Sequence, residues 1–333
     1  MTILGIETSC DETAAAVCRN GEILSSIVSS QEIHSEYGGV VPEVAAREHE
    51  SWLTKVVEKA LSNAKISMQD LDSISVTRGP GLMGALLTGA CFAKGLAQGL
   101  RIPCIGINHL EAHIFSNFIS FPELKYPFLC LLVSGGHTQI WHVLELRKYK
   151  LLGETRDDAS GEAFDKGARI LGLGYPGGPS IEKMSEGGDE NAISFPQAFA
   201  DSDRVEYSFS GLKTSLLSYV QETGRDKVEK QIRDVSASYQ YSINKILISK
   251  LVKAVELTGV NTAVIAGGVA ANKRLRELAN EMMTECEVLY PELSLCTDNG
   301  AMIAYLGELY LKNGFVTTPH FTIIPNLKVV DSD

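Results

Sequence analysis

The sequence lacks long hydrophobic runs, closely paired cysteines and an excess of basic residues. Its most apolar stretch, residues 82–93, is well short of the roughly 20 residues that a membrane-spanning helix requires. The seven cysteines are scattered and include no C-x-x-C pair, which predicts reduced thiols in place of a disulfide framework. The first residues have neither the basic nor the apolar region of a signal peptide. We therefore expect a cytoplasmic protein with no membrane partner.

The charge balance argues against a protein that binds nucleic acid strongly by itself. Acidic residues outnumber basic ones, 41 against 30, which gives a formal net charge of −11 over 333 residues. Residues 1–125 and residues 126–333 are both acidic, so neither part compensates for the other. Strong contact with phosphates needs clustered Lys and Arg. If the protein acts on a nucleic acid, its affinity for that nucleic acid would therefore depend on partner proteins or on small basic patches.

Two segments of the chain share a pattern of strand, polar bend and strand. Apolar residues 3–6 and 13–18 flank the first polar bend, and residues 127–133 and 138–144 flank the second. Helical periodicity follows each opening, for example over residues 53–64 and 235–257. The repeated pattern predicts a duplicated α/β domain.

A pair of histidines is the sharpest local signal. His109 and His113 are four residues apart, so on a helix both imidazoles can reach one metal ion. Asp298, on a polar turn before a helical segment, is a candidate third ligand. Spacing alone leaves open whether Asp298 is a ligand or the N-cap of that helix.

A metalloprotease must be considered because the histidine pair resembles H-E-x-x-H. Here the acid is Glu111, midway between the two histidines. On a helix it points about 200° away from the histidine face and cannot act there as the general base. The spacing therefore argues against a protease.

Four glycine-rich turns and two acidic clusters complete the chemical signals. None of the turns matches a Walker A motif or G-x-G-x-x-G, but together they favour a cleft for a nucleotide or phosphoester. The turns are residues 78–84, 134–137, 175–179 and 266–272. The acids are Asp11 and Glu12 in the first bend and the run 157–165, which could serve a site or simply begin a helix.

Seven motifs, in order along nearly the whole chain, resemble the bacterial TsaD family of tRNA N6-adenosine threonylcarbamoyltransferases. They are residues 6–13 (IETSCDET), 38–43 (GGVVPE), 108–113 (NHLEAH), 131–138 (LLVSGGHT), 161–166 (GEAFDK), 175–179 (YPGGP) and 267–272 (GGVAAN). The resemblance implies α/β architecture with two duplicated actin/Hsp70-like (ribonuclease H-like) lobes and a cleft between them. The lobes would be residues 1–125 and 126–333, with the C-terminal helix packing back on the first lobe.

The resemblance also implies an activity and its site residues. The threonylcarbamoyl group would pass from threonylcarbamoyl-AMP to N6 of adenosine 37 in tRNAs reading codons that begin with A, with release of AMP. The metal ligands would be His109, His113 and Asp298. The adenylate-binding residues would be Leu132, Val133, Ser134, Gly135, Gly136, Asp165, Gly178, Glu182 and Asn272.

The remaining expectations concern the proton, the cofactor and the partners. Asp11 is the candidate for taking up the proton lost from N6, with a loop-ordering role as the alternative. One divalent metal is expected, Fe²⁺ with Zn²⁺ as the alternative, together with partner proteins of the TsaB and TsaE types. Two rivals share the fold: an ATPase or kinase, and a non-catalytic scaffold.

Overall fold

A computed structural model describes residues 1–199, 202, 204–315 and 321–329. The strands, numbered along the chain, are β1 (Thr2–Glu7), β2 (Glu12–Arg19), β3 (Glu22–Ser30), β4 (Ser73–Gly79), β5 (Cys104–Asn108), β6 (Phe128–Val133), β7 (Thr138–Glu145), β8 (Lys148–Glu154), β9 (Thr262–Ala266) and β10 (Glu287–Leu289). The helices are α1 (His34–Tyr37), α2 (Pro42–Ala64), α3 (Met83–Leu100), α4 (His109–Phe115), α5 (Asn117–Ser120), α6 (Ser160–Leu171), α7 (Gly177–Ser185), α8 (Ser210–Thr223), α9 (Arg225–Lys230), α10 (Ile232–Thr258), α11 (Lys273–Met282), α12 (Leu293–Cys296) and α13 (Gly300–Lys312). Short 3₁₀ turns lie at Met68–Asp70 and Gly268–Ala271.

The described residues form two compact units. Met1–Leu124 and Pro291–Val329 make up the first, and Lys125–Tyr290 make up the second. The sequence-based lobes, 1–125 and 126–333, placed residues 291–329 in the second lobe, with its C-terminal helix returning to the first. In the structure α13 packs on β1 and β2 of the first unit.

The first unit is built on a mixed sheet in the order β3-β2-β1-β4-β5. β1 pairs antiparallel with β2 and parallel with β4. All six residues of β1 are buried, because helices cover both faces of the sheet. Leu4 and Ile6 join the core formed with α2 and α3, whereas Gly5 faces α13.

The second unit repeats this plan with the order β10-β9-β6-β7-β8. Its first three strands form an antiparallel meander, and β9 and β10 add in parallel on the other side of β6. In both units the first strand is therefore central, with the meander on one side and the crossover strands on the other. The predicted duplication of an α/β domain is confirmed.

Element positions agree closely with the periodicity of the sequence. The predicted strand–bend–strand segments are β1–β2 and β6–β7, and the predicted helices over 53–64 and 235–257 lie within α2 and α10. Within the described part of the chain, every helix is too short or too polar to span a membrane.

Candidate metal centre and glycine-rich loops

The histidine pair lies on a short, fully buried helix that directly follows β5, the edge strand next to β4. Asn108, the last residue of β5, caps α4 by accepting hydrogen bonds from the backbone N–H groups of Leu110 (2.9 Å) and Glu111 (3.3 Å). The helix therefore begins at His109. The rings of His109 and His113 lie on one side of it, with centroids 4.7 Å apart and planes nearly perpendicular.

Asp298 completes the group from a point 185 residues further along the chain. Its Oδ1 lies 3.0 Å from Nε2 of His113 and 3.4 Å from Nε2 of His109. The cap of α13 is the next residue, Asn299, whose side chain accepts from the N–H of Met302 at 3.0 Å. The structure thus separates the two roles that spacing left open, because Asn299 is the cap and Asp298 faces the histidines.

The three donor atoms suit a divalent cation. They lie within 4.8 Å of one another and combine two imidazole nitrogens with one carboxylate oxygen. Ligands bound at about 2.0–2.1 Å with angles near 90–109° stand about 2.9–3.4 Å apart, and both measured distances to Asp298 fall in this range. His109, His113 and Asp298 therefore form a group that could hold a metal ion.

Glu7 and Ser9 surround the outer nitrogen of His109. Glu7 is fully buried at the end of β1, and its Oε2 lies 2.9 Å from Nδ1 of His109. The hydroxyl oxygen of Ser9 is 3.2 Å from the same nitrogen. Sequence reasoning did not select Glu7, because it appeared only as the first residue of a polar bend.

The ionisable groups of this cluster shift one another's pKa values toward the charged forms. Burial opposes ionisation of Asp298, yet His109 and His113 hold the pKa of its carboxyl well below its usual range. Burial likewise opposes a charged His109, but Asp298 and Glu7 raise its pKa well above the ordinary value. Without a metal, a cationic His109 is thus stabilised between two carboxylates.

Asp11 lies in the bend between β1 and β2, in the same unit as the histidines. Its backbone carbonyl accepts the N–H of Gln31 at 3.1 Å. Burial raises the pKa of Glu12 well above its usual range, and the charges of Asp298 and Asp11 raise it further. The bend is held by His49, which donates from Nε2 to the carbonyl of Cys10 (2.9 Å) and accepts at Nδ1 from Thr13 (2.8 Å).

The predicted adenylate-binding residues belong to the second unit and lie on or next to four of its elements, β6, α6, α7 and α11. Leu132 and Val133 are the buried last residues of β6, and Ser134, Gly135 and Gly136 form the turn to β7. The others lie on helices: Asp165 on α6, Gly178 and Glu182 on α7, and Asn272 at the cap of α11.

Two glycines of neighbouring segments make close contacts with the backbone at the end of β6. A Cβ on Gly161, in the first turn of α6, would stand 2.6 Å from the carbonyl oxygen of Ser134. Gly267 has φ +92°, and a Cβ there would stand 2.4 Å from the carbonyl oxygen of Val133. Gly135, by contrast, faces open space. The glycines thus let α6 and the turn after β9 pack against the end of β6.

Side chains connect the helices of the same region. Asp165 accepts the N–H of Gly177 at 2.7 Å, which ties α6 to the start of α7. Glu182 accepts the N–H of Lys273 at 2.7 Å, which ties α7 to the start of α11. Asp165 and Glu182 therefore have structural roles, because each connects its own helix to the start of the next helix or of α11.

Asn272 is the most heavily bonded of them. Its Oδ1 accepts from the N–H of Leu275 (3.0 Å) and from Asn244 (2.9 Å), and its Nδ2 donates to Gln240 (2.8 Å). An amide offers two N–H donors, and the second N–H of Asn272 has no hydrogen-bond partner among the described residues. Gln240 and Asn244, which orient it, lie mid-helix on α10 and carried no sequence signal.

Solved structures with a similar fold are distant in sequence. HypF from T. kodakarensis matches 94% of this chain and 48% of its own with a TM-score of 0.64 at 15% identity. The activator of 2-hydroxyisocaproyl-CoA dehydratase from Clostridium difficile, solved with bound ADPNP, matches 96% of this chain and 99% of its own with a TM-score of 0.56 at 16% identity. These proteins have the actin/Hsp70-like kinase fold, so the predicted fold class is confirmed.

Sequence comparison is more specific. The model of the family described as "TsaD: tRNA N6-adenosine threonylcarbamoyltransferase" matches residues 22–305. A protein of that name from Thermosipho africanus is 52% identical over 99% of this chain and 100% of its own length. Another from Clostridium novyi is 50% identical over 98% of this chain and 97% of its own. The chain belongs to the TsaD family of tRNA N6-adenosine threonylcarbamoyltransferases.

Proposed function

We propose that this chain transfers the threonylcarbamoyl group from threonylcarbamoyl-AMP to N6 of adenosine 37 in tRNAs reading codons that begin with A. The N6 amine attacks the carbamoyl carbon, the bond from that carbon to the phosphate oxygen breaks, and AMP and one proton leave. The observation that carries the proposal is the convergence of His109, His113 and Asp298 within a chain of this family. The substrate tRNA agrees with the expected cytoplasmic location.

His109, His113 and Asp298 are the proposed ligands of a divalent ion, Fe²⁺ with Zn²⁺ as the alternative. When bound, such an ion would supply Lewis-acid polarisation of the carbamoyl carbonyl. The ligands' own contribution is a buried arrangement in which Asp298 already lies within 3.4 Å of both imidazoles. Little reorganisation is then needed for binding.

The adenylate would lie against the second unit's glycine-rich turn. Backbone N–H groups of Gly135 and Gly136, which are exposed, are proposed to bind the phosphate. Gly178, Glu182 and the remaining N–H of Asn272 would orient the adenosine. Asp165 is proposed to act by holding the start of α7 through Gly177.

Asp11 remains the proposed acceptor of the N6 proton. Asp11 is half-buried in a bend of the unit that holds the proposed metal ligands, and burial together with the charge of Asp298 raises the pKa of its neighbours Cys10 and Glu12. A rate that is unchanged across pH in Asp11→Asn would assign this residue the loop-ordering role.

Partner proteins of the TsaB and TsaE types are proposed on the family resemblance. Helix α3 supports a protein contact, since Met83, Leu87 and Cys91 form an exposed apolar row at i, i+4, i+8 spacing. An apolar row of this kind is unusual on a surface that stays exposed to solvent, so it favours a contact with another protein.

A reconstituted assay tests the function directly. The chain, with and without partner proteins, is incubated with threonylcarbamoyl-AMP and tRNA, and modified adenosine is measured by mass spectrometry. We expect modification to depend on tRNA and to be lost in the His109→Ala/His113→Ala double variant. Full transfer by that variant without metal would refute the metal role. Phosphate release from ATP without tRNA would favour the ATPase or kinase.

A further inference from the structure

We propose that Glu7 is a positioning residue that fixes His109 as a metal ligand, an inference that rests on the metal role given to His109 above. Glu7 is the last residue of β1 and is fully buried. Burying an ionised carboxylate costs free energy unless it is hydrogen-bonded and paired with an opposite charge. We therefore expect specific partners around Glu7 that offset this cost.

The surroundings of Glu7 are polar and specific. Its Oε1 accepts the backbone N–H of Ser9, and its Oε2 accepts the hydroxyl of Thr77 at 2.6 Å. The third contact joins Oε2 to Nδ1 of His109 at 2.9 Å. Thr77 belongs to β4 and His109 begins α4, so the carboxylate connects three elements of one unit.

The direction of the third hydrogen bond follows from chemistry. An ionised carboxylate can only accept, so Nδ1 of His109 must donate its proton. Neutral His109 then carries its lone pair on Nε2, the nitrogen that faces Asp298 at 3.4 Å. Glu7 thus selects the tautomer that a metal ligand needs and holds the ring plane.

The two histidines differ in this respect. Nδ1 of His113 is buried without a hydrogen-bond partner among the described residues, although its Nε2 lies 3.0 Å from Asp298. Glu7 therefore orients His109, whereas the outer nitrogen of His113 has no such partner among the described residues.

Charge balance points the same way. The carboxylates of Asp298 and Glu7 both lie close to His109, and their negative charges favour a divalent cation between neutral imidazoles. Replacing Glu7 by Gln removes one of these two charges from a buried site while keeping the shape of the side chain. Metal affinity should fall even if every direct ligand remains.

The experiment compares Zn²⁺ binding by the full-length wild-type chain and the Glu7→Gln variant. Affinity is measured by competition with a chromophoric chelator, without tRNA or adenylate, so the result does not depend on the transfer reaction. We expect Glu7→Gln to weaken Zn²⁺ binding by about 10- to 100-fold. In the Zn²⁺-loaded wild type, ¹⁵N-histidine NMR should show a protected Nδ1–H for His109, and that proton should exchange faster with solvent in the variant, because an amide oxygen accepts a weaker hydrogen bond than a carboxylate.

Glu308→Gln is the matched control. Glu308 is also a buried carboxylate of the first unit, bonded to the N–H of Gly21 at 2.7 Å and to Lys312 at 2.8 Å. Among the hydrogen bonds of the described residues, none joins it to His109 or His113. It should lose thermal stability with Zn²⁺ affinity unchanged.

Equal Zn²⁺ affinity in Glu7→Gln and wild type, or an equal loss in Glu308→Gln, would overturn the proposal. If Glu7→Gln does not fold, Thr77→Val provides the second variant. It removes one donor to Glu7, and we expect a smaller loss of Zn²⁺ affinity in the same direction; no loss would overturn the proposal. A chain that shows the Glu7 effect but no transfer would contradict the proposed function and leave this inference standing.

Discussion

Single glycines of the second unit divide into those that packing requires and those that a ligand would require. A Cβ on Gly161 would overlap the carbonyl oxygen of Ser134, a backbone atom that cannot move independently. A Cβ on Gly135 would meet nothing within 4 Å. Packing therefore requires glycine at position 161 but not at position 135.

We expect Gly135→Ala to keep the free energy of unfolding within about 0.5 kcal/mol of wild type. Adenylate binding should nevertheless weaken severalfold, because the methyl group occupies the approach to the backbone N–H groups. Urea denaturation and calorimetric titration with a non-hydrolysable adenylate check both parts. Gly161→Ala is the comparison and should lose stability as well; unchanged adenylate affinity in Gly135→Ala would remove the loop from the proposed site.

The residue scale also shows what the sequence could reveal. The His109 and His113 pair was readable because its four-residue spacing is local. Asp298 was a candidate from its turn, but the sequence did not show whether Asp298 or Asn299 caps α13, because both have side chains that can accept from a helix N-terminus. Glu7 was not found, because its partner His109 is 102 residues away and a single acid after a strand has no distinctive pattern.

At the scale of elements, Asp157 caps a helix from a distant part of the chain. Its carboxylate accepts the N–H groups of Phe209 (2.8 Å) and Ser210 (3.2 Å) at the start of α8. Partial burial opposes its ionisation, but the hydrogen bonds from Ser208, Phe209 and Ser210 hold its pKa below the ordinary value. This acid of the 157–165 run thus has a structural role.

Asp157→Ala should lower the free energy of unfolding by about 1 kcal/mol at neutral pH, as expected for a lost helix cap. Because the folded-state pKa is lowered, the contribution is complete above the unfolded pKa near 3.8 and is lost as pH falls through the folded value. Urea denaturation at pH 7 and pH 3 measures the difference. It should shrink at pH 3, while the exposed Glu285→Ala should have little effect at pH 7; an equal loss at both pH values would contradict the assignment.

The backbones of helix α13 and strand β1 are in direct contact at Gly5. Because Asp298 lies two residues before α13, this contact helps to position it. A Cβ on Gly5 would stand 2.3 Å from the amide nitrogen of Ala304 and 2.5 Å from the carbonyl oxygen of Gly300. Periodicity predicted both elements, yet their pairing across nearly 300 residues was suggested only by the family resemblance. Close approach of this kind depends on three-dimensional neighbours that a local pattern does not encode.

Gly5→Ala should therefore displace α13 and cost about 1–3 kcal/mol of stability, as overpacking does. Zn²⁺ affinity should fall with it, since Asp298 precedes the displaced helix by two residues. Thermal denaturation and chelator competition measure the two effects. Gly95→Ala on α3, where a Cβ meets nothing within 4 Å, is the control and should leave metal binding unchanged.

At the scale of the whole molecule, the net charge of −11 opposes an RNA substrate. Several basic side chains are also paired with acidic ones, which leaves them less available to phosphates. Arg274, for example, bonds to both Glu190 and Glu281. We expect the isolated chain to bind tRNA weakly, with affinity that falls steeply between about 50 and 200 mM salt. Fluorescence anisotropy with labelled tRNA measures this, and tight binding that salt does not change would show that the charge argument is wrong.

The first unit is assembled from two separate segments of the chain, which has a consequence for synthesis on the ribosome. Residues 125–290 are contiguous and can fold as soon as they emerge, whereas the first unit lacks α13 and Asp298 until its second segment, residues 291–329, has also been made. The histidines therefore leave the ribosome long before their third partner. A nascent chain cannot form the complete group of three side chains before Asp298 is made, so an ion held by all three would bind only after that point.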